Sequence, residues 1–191
     1  VLIVEKYVQE RVAQACLLAA PTGCASFQLK FGASTLHRCF GVPVGYCGPW
    51  GSRTGGRYMK LKKRMEYARL FVMDEMSMIG RQMLGKIEFK VRDTLLSEVR
   101  SLSEKATLAG RDTVLAGDPK QANPIGDDPM FRCGDYTGKG QNKPRGAERT
   151  PDDAWSTHRL VRMGMEVRDS FEDVCLLRQV RRYVDEKDKA P

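Results

Sequence analysis

The chain has 191 residues, 41% of them hydrophobic and 29% charged. That balance can bury a core, so wholesale disorder is excluded, and no apolar run reaches the ~18 to 20 residues that a membrane helix needs. Lys and Arg total 32 against 24 acids, a net charge of +8, which favours a polyanionic partner but specifies no fold.

Val1 to Val12 reads as the body of an amphipathic helix, with Leu2, Ile3, Tyr7 and Val8 on one face and no N-cap before it. The expectation is a fragment whose true start lies upstream. Ala15 to Ala20 is a short apolar run stopped by Pro21-Thr22-Gly23, the pattern of a buried strand and its turn. Ala25 to Gly41 is expected to hold a helix and then a turn. Val42 to Arg57, rich in glycine with Pro43 and Pro49, reads as a loop. Lys60 to Arg69 is a basic helix candidate. Leu70 to Met73 is a second buried strand, ending at Asp74-Glu75. Gly80 to Leu102 has helical spacing. Thr113 to Ala116 is a third strand, ending at Gly117-Asp118. Arg132 to Thr150, rich in Gly, Lys and Arg, reads as flexible. Asp153 to Val167 has helical spacing, and Val174 to Leu177 is a fourth strand candidate.

Strands alternating with helices predict a parallel α/β sheet, whose function collects at the carboxyl ends of the strands. Three strand ends carry polar signatures. Leu70 to Met73 followed by Asp74-Glu75 is an apolar strand ending in adjacent acids. Asp74 there suits a hydrated Mg²⁺, and Glu75 can orient and deprotonate an attacking water. Adjacent acids also stabilise a helix N-terminus, and that reading stays open for the dipeptide alone. In Gly117-Asp118-Pro119-Lys120-Gln121, Asp and Gln beyond a strand end can sense a γ-phosphate, and a plain turn has the same composition. Pro21-Thr22-Gly23 offers a hydroxyl and backbone N–H groups suited to phosphate oxygens, again against a plain turn.

The three signatures together, in this order, resemble the Pif1-like DNA helicases of superfamily 1, which are related to the RecD helicases. Leu18 to Ser26 with Gly32 to Gly41 is similar to that family's motif Ia and its extension. Phe71 to Ile79 resembles motif II, Val114 to Ile125 motif III, and Val174 to Arg182 motif IV, with Arg181 aligned to the motif's arginine. The resemblance implies a RecA-like P-loop NTPase fold, mainly parallel, with helices on both faces. It implies a partial first motor domain over 1–173, with a basic insertion near 42–69, and a motif IV region over 174–191 leading toward a second motor domain.

The resemblance also supplies roles. Asp74 holds Mg²⁺ and Glu75 is the catalytic base. Gln121 contacts the γ-phosphate of ATP with Asp118 nearby, and Arg181 stabilises charge on the transferring phosphoryl group. Pro21, Thr22, Gly23, Thr35, His37 and Phe40 line the single-stranded DNA track, where an aromatic ring can stack on a base. The implied activity is ATP-driven 5′ to 3′ movement on single-stranded DNA and unwinding at duplex junctions, in the nucleus or mitochondrion if the source is eukaryotic. Relatives act in telomere maintenance, recombination and repair.

Departures from the pattern matter too. Cys24 stands where many relatives carry Lys. The 191 residues contain no G-x4-G-K-[ST]. In the family that P-loop precedes the helix that Val1 to Val12 resembles, so the expectation is that it was cut off. The alternatives are a non-catalytic DNA-binding remnant of a helicase or helicase-bearing mobile element, and an RNA-acting or different P-loop ATPase.

Two features stand apart from the motifs. Gly51 to Leu70 carries Arg53, Arg57, Lys60, Lys62, Lys63, Arg64 and Arg69 against the single acid Glu66, with Tyr58 and Tyr67 interleaved. A nucleic-acid-facing insertion and a solvated helix face are both consistent with that. The 6 cysteines include no C-x2-C pair, so reduced thiols are expected over a zinc site, with Cys16 and Cys175 in the core.

Overall fold

A computed structural model describes residues 15–44, 47, 52–95, 106–132 and 157–177. The predicted helix over Val1 to Val12, the basic segment after Arg132 and Arg181 lie outside these residues.

Among the described residues, four parallel strands form one sheet in the order β2-β1-β3-β4. They are β1 (Cys16–Ala20), β2 (Ser34–Thr35), β3 (Leu70–Met73) and β4 (Asp112–Leu115). The helices are α1 (Gly23–Leu29), α2 (Leu36–Phe40), α3 (Gly56–Tyr67), α4 (Arg81–Thr94) and α5 (Thr157–Asp169). The parallel α/β sheet is the one expected. In register, Ala19 lies beside Met73 and Met73 beside Leu115, so β1, β3 and β4 end at one level.

Strand alternation sorts the side chains. Leu17, Ala19, Phe71 and Met73 join the main core with Leu36, Phe40, Leu61, Met65, Ile79, Leu84, Ile87 and Val91. Cys16, Leu18 and Leu70 form a smaller cluster with Val72 and Ala33. The segment expected as a basic insertion holds α3, whose Leu61 and Met65 belong to the main core. Gly56–Tyr67 is thus a crossover helix of this layer, because its apolar residues recur at helical spacing.

Two elements differ from expectation. Between Ala25 and Gly41 there are two short helices separated by β2. Lys30, Phe31 and Gly32 have φ of 56, 47 and 75°, a left-handed run that no helix continues through. Val174 to Leu177 forms no strand, and Val174, Leu176 and Leu177 are exposed, so these apolar residues have no strand beside them to pair with among the described residues. Cys175 is likewise exposed, whereas Cys16, Cys39 and Cys47 are buried free thiols; burial pushes Cys39 up to about 12.

Leu108, Ala109 and Gly110 make a left-handed turn before β4. The buried Glu88 carboxylate holds it, accepting the Leu108 N–H at 2.5 Å and pairing with Arg92, which donates in turn to the Ala106 carbonyl. Removing one partner of such a buried pair strands the other, so Glu88→Ala is expected to cost about 3 kcal/mol in urea denaturation. Burial raises the Glu88 pKa, with Arg92 and the Leu108 N–H opposing it. The native state therefore holds that proton more tightly than the unfolded chain does. Wild-type stability should fall relative to Glu88→Gln as pH rises from the ordinary Glu value through the native one.

Candidate functional site at the carboxyl ends of the strands

The strand ends meet because their turns are stitched together. Asp74 N–H donates to the Ala19 carbonyl, Ala116 N–H to Met73 and Met76 N–H to Ala116, each at 2.9 Å. Asp74-Glu75 lies between the β1 and β4 ends as a result. Glu75 sits at φ 54°, ψ 48°, a left-handed conformation rare outside glycine and concentrated at functional sites. Its carbonyl accepts the Met78 N–H at 3.0 Å, starting the 3₁₀ turn Met76–Met78.

This geometry removes one reading of the acidic pair, that of a cap on α4. The α4 N-terminus is held by Asp127, which accepts the Gln82 and Met83 N–H groups at 3.2 and 2.9 Å. Asp74 and Glu75 are therefore not its cap. Both are half-buried at the end of an apolar strand. One carboxylate beside substrate phosphates is a donor set that suits Mg²⁺, which keeps several waters and takes one or two protein carboxylates. Asp74 fits that role by chemistry. Among the described residues no group of three or more ligating side chains forms a protein-only metal cage.

Gly117 is what brings β4's end against Glu75. Its φ is +140°, and a Cβ there would lie 2.7 Å from Met76 N and 3.2 Å from Glu75 Cα. Gly117→Ala is expected to cost about 1–3 kcal/mol and to lower the urea midpoint without changing the slope. The sequence marks this residue only as a turn former. Beyond it, Asp118 does build a turn: its carboxylate accepts the Lys120 N–H at 2.9 Å, and its carbonyl the Gln121 N–H at 3.1 Å. Gln121 is exposed.

Thr22 caps α1, its hydroxyl oxygen accepting the Ala25 N–H at 3.2 Å, with Pro21 half-buried before it and Gly23 exposed after it. The N–H groups of Gly23 and Cys24 fall where a helix supplies no internal acceptor. Thr35 caps α2 in the same way through the Arg38 N–H at 3.4 Å. His37 is half-buried; burial, then the charge of Lys86, holds its pKa below the ordinary imidazole value. That favours the neutral ring, which offers a hydrogen bond or a ring face.

Phe40 is a correction. It is 0% exposed and packs edge-on against Phe71 with ring centroids 5.3 Å apart, so it cannot stack on a base. Burying a ring of this size against β3 outweighs presenting it to a ligand. Ser77, following Glu75 by two residues, is also buried, with no hydrogen-bond partner for its hydroxyl among the described residues.

A sequence model described as PIF1-like helicase matches residues 3–131. Among solved structures, the chain is 30% identical to one of two coordinating Pif1 helicases at forked double-stranded DNA, covering 63% of this chain and 27% of that one, with a TM-score of 0.47. It is 29% identical to Bacteroides Pif1 bound to single-stranded DNA, covering 63% and 26%, TM-score 0.47. It is also 29% identical to Bacteroides Pif1 in complex with ADP-AlF4, covering 63% and 26%, TM-score 0.45. The chain thus spans about a quarter of the length of these structures. No curated protein matches it.

Proposed function

Because the chain belongs to the PIF1-like helicase family, we propose that it works within an ATP-dependent DNA helicase that moves 5′ to 3′ on single-stranded DNA and opens duplex junctions. The observation that carries this reading is the left-handed Glu75 between the β1 and β4 ends, whose side chain makes no cap hydrogen bond. Hydrolysis is an in-line attack of water on the γ-phosphate. Glu75 accepts the water's proton, while Gln121 on the adjacent turn contacts the γ-phosphate, with Asp118 shaping that turn. Asp74 would hold Mg²⁺, which supplies charge neutralisation on the phosphates. Arg181 stabilises the charge that develops on the transferring group, and a second motor domain faces this one across the nucleotide. The site thus reads as the coupling end of a first motor domain, with motif IV leading out of it.

Pro21, Thr22 and Gly23 follow β1, Thr35 ends β2 and His37 comes just after it, and together they form the DNA side. Nucleotide-dependent movement at the β3 and β4 ends reaches them through the Asp74–Ala19 backbone bond. The test is unwinding by the intact protein of duplexes carrying a single-stranded tail. ATP-dependent opening of a 5′-tailed duplex, with a 3′-tailed one left closed, is expected. Tail binding with no opening and no ATP turnover favours the non-catalytic DNA-binding reading, and turnover stimulated by RNA alone favours the RNA-acting one.

A further inference from the structure

The basic residues around α3 divide into spent and unspent cations. Arg53 pairs with Asp93 at 3.0 Å. Arg64 donates to the Arg38 and Cys39 carbonyls at 2.9 and 2.6 Å, which fixes α2 against this side of α3. Arg69 donates to the Glu66 and Ala68 carbonyls. Arg57, Lys60, Lys62 and Lys63 have no ion pair among the described residues.

The buried face of α3 is Tyr58, Leu61 and Met65. Positions 57, 60, 64 and 67 recur at helical spacing along one flank, the flank that Arg64 joins to α2. Lys63 lies beside them, and the only acid of the helix, Glu66, falls on the other flank with Lys62. Arg57, Lys60 and Lys63 are exposed, as is Arg38 on α2. The like charges stand about one helical turn apart and none of them is ion-paired among the described residues, an arrangement that costs stability unless a polyanion uses it. Tyr67, 51% exposed at the end of the stripe, adds a ring on which a base can stack. The stripe meets α2, which opens with Thr35 and His37.

We propose that Arg57, Lys60 and Lys63 of α3, with Arg38 of α2, bind the phosphodiester backbone of a single nucleic-acid strand where it continues past Thr35 and His37. The proposal rests on the DNA-binding reading above and extends its track. The exposed Tyr67 ring and the continuity with α2 favour a strand over an anionic membrane.

The test measures binding of fluorescent single-stranded DNA of about 6 and about 20 nucleotides against salt, for the intact protein and for Arg57→Gln/Lys60→Gln/Lys63→Gln. Each phosphate contact contributes about 0.7 to the salt slope, so the variant's slope on the long strand should be lower by about 2. Its affinity for that strand should fall at least about tenfold near 0.1 M salt. Binding of the short strand, and the slope of Lys62→Gln on the opposite flank, should stay at wild-type values. An unchanged slope and affinity on the long strand overturns the proposal while wild-type DNA binding leaves the broader reading intact. A wild type that binds neither strand overturns both. A loss confined to phosphatidylserine vesicles overturns it in favour of a membrane surface. Matching urea midpoints establish that the variants are folded.

Discussion

Glu75→Gln in the intact protein is expected to leave ATP binding within a few-fold of wild type and to lower turnover about 10²- to 10⁴-fold, the range for loss of a general base. The substitution is the least disruptive available. Gln has the shape of Glu, and the left-handed backbone at φ 54° is set by bonds that do not involve the side chain. Only the capacity to take a proton is lost. Binding by equilibrium titration and turnover by phosphate release separate the two. A loss of binding equal to the loss of turnover would mean that Glu75 shapes the nucleotide site and does not act on the water. Turnover at the wild-type rate would remove Glu75 from the chemistry altogether.

A loss of stability as large as that expected at Glu88 lies away from the strand ends, where α4 crosses α5. A Cβ at Gly85 would fall inside contact distance of the Leu160 carbonyl, and one at Gly164 inside that of the Arg81 carbonyl. Both neighbours are backbone, which cannot swing aside as a side chain can. Gly85→Ala and Gly164→Ala are each expected to cost about 3 kcal/mol, lowering Tm by roughly 10 °C for a chain of this size. The crossing matters to the site because α4 is the element that follows the acidic turn. Gly56→Ala is the matched control. Nothing lies within 4 Å of a Cβ there, so the same substitution at the start of α3 should be neutral or stabilise by about 0.4–1 kcal/mol. Equal effects at Gly85 and Gly56 would show that the close crossing imposes no cost.

The strands that frame the site were readable from sequence to within a residue. An apolar run stopped by Pro-Thr-Gly, Asp-Glu or Gly-Asp leaves few choices, and β1, β3 and β4 each have that form. What escaped depends on partners distant in the chain. Phe40 reads equally as a stacking ring or a core ring until Phe71 is known to face it. Ser34–Thr35 is too short to show a period, so β2 vanished into a presumed helix. Asp127 caps α4 from 45 residues away, and the acids at Asp74-Glu75 stayed ambiguous for want of that one contact. Gly117 carries a composition signal for a turn, but its close approach to Met76 exists only in the folded sheet. Val174 to Leu177 has strand composition and no strand geometry, since pairing needs a neighbour as well as β-branched and apolar residues.

The basic helix is the reverse case. Its charge was plain in the sequence, but a solvated face and a binding face have the same composition. Their distinction comes from Arg53, Arg64 and Arg69 being occupied and from Leu61 and Met65 fixing which flank meets α2.

The claim at the centre of this account is that the β1, β3 and β4 ends form one device coupling ATP hydrolysis to a DNA strand. Phosphate release by the intact protein, measured with and without single-stranded DNA for wild type and Glu75→Gln, tests it most directly. The account predicts hydrolysis stimulated at least about tenfold by the strand and abolished in the variant with the strand still bound. Hydrolysis indifferent to the strand, or persisting in Glu75→Gln, would contradict it.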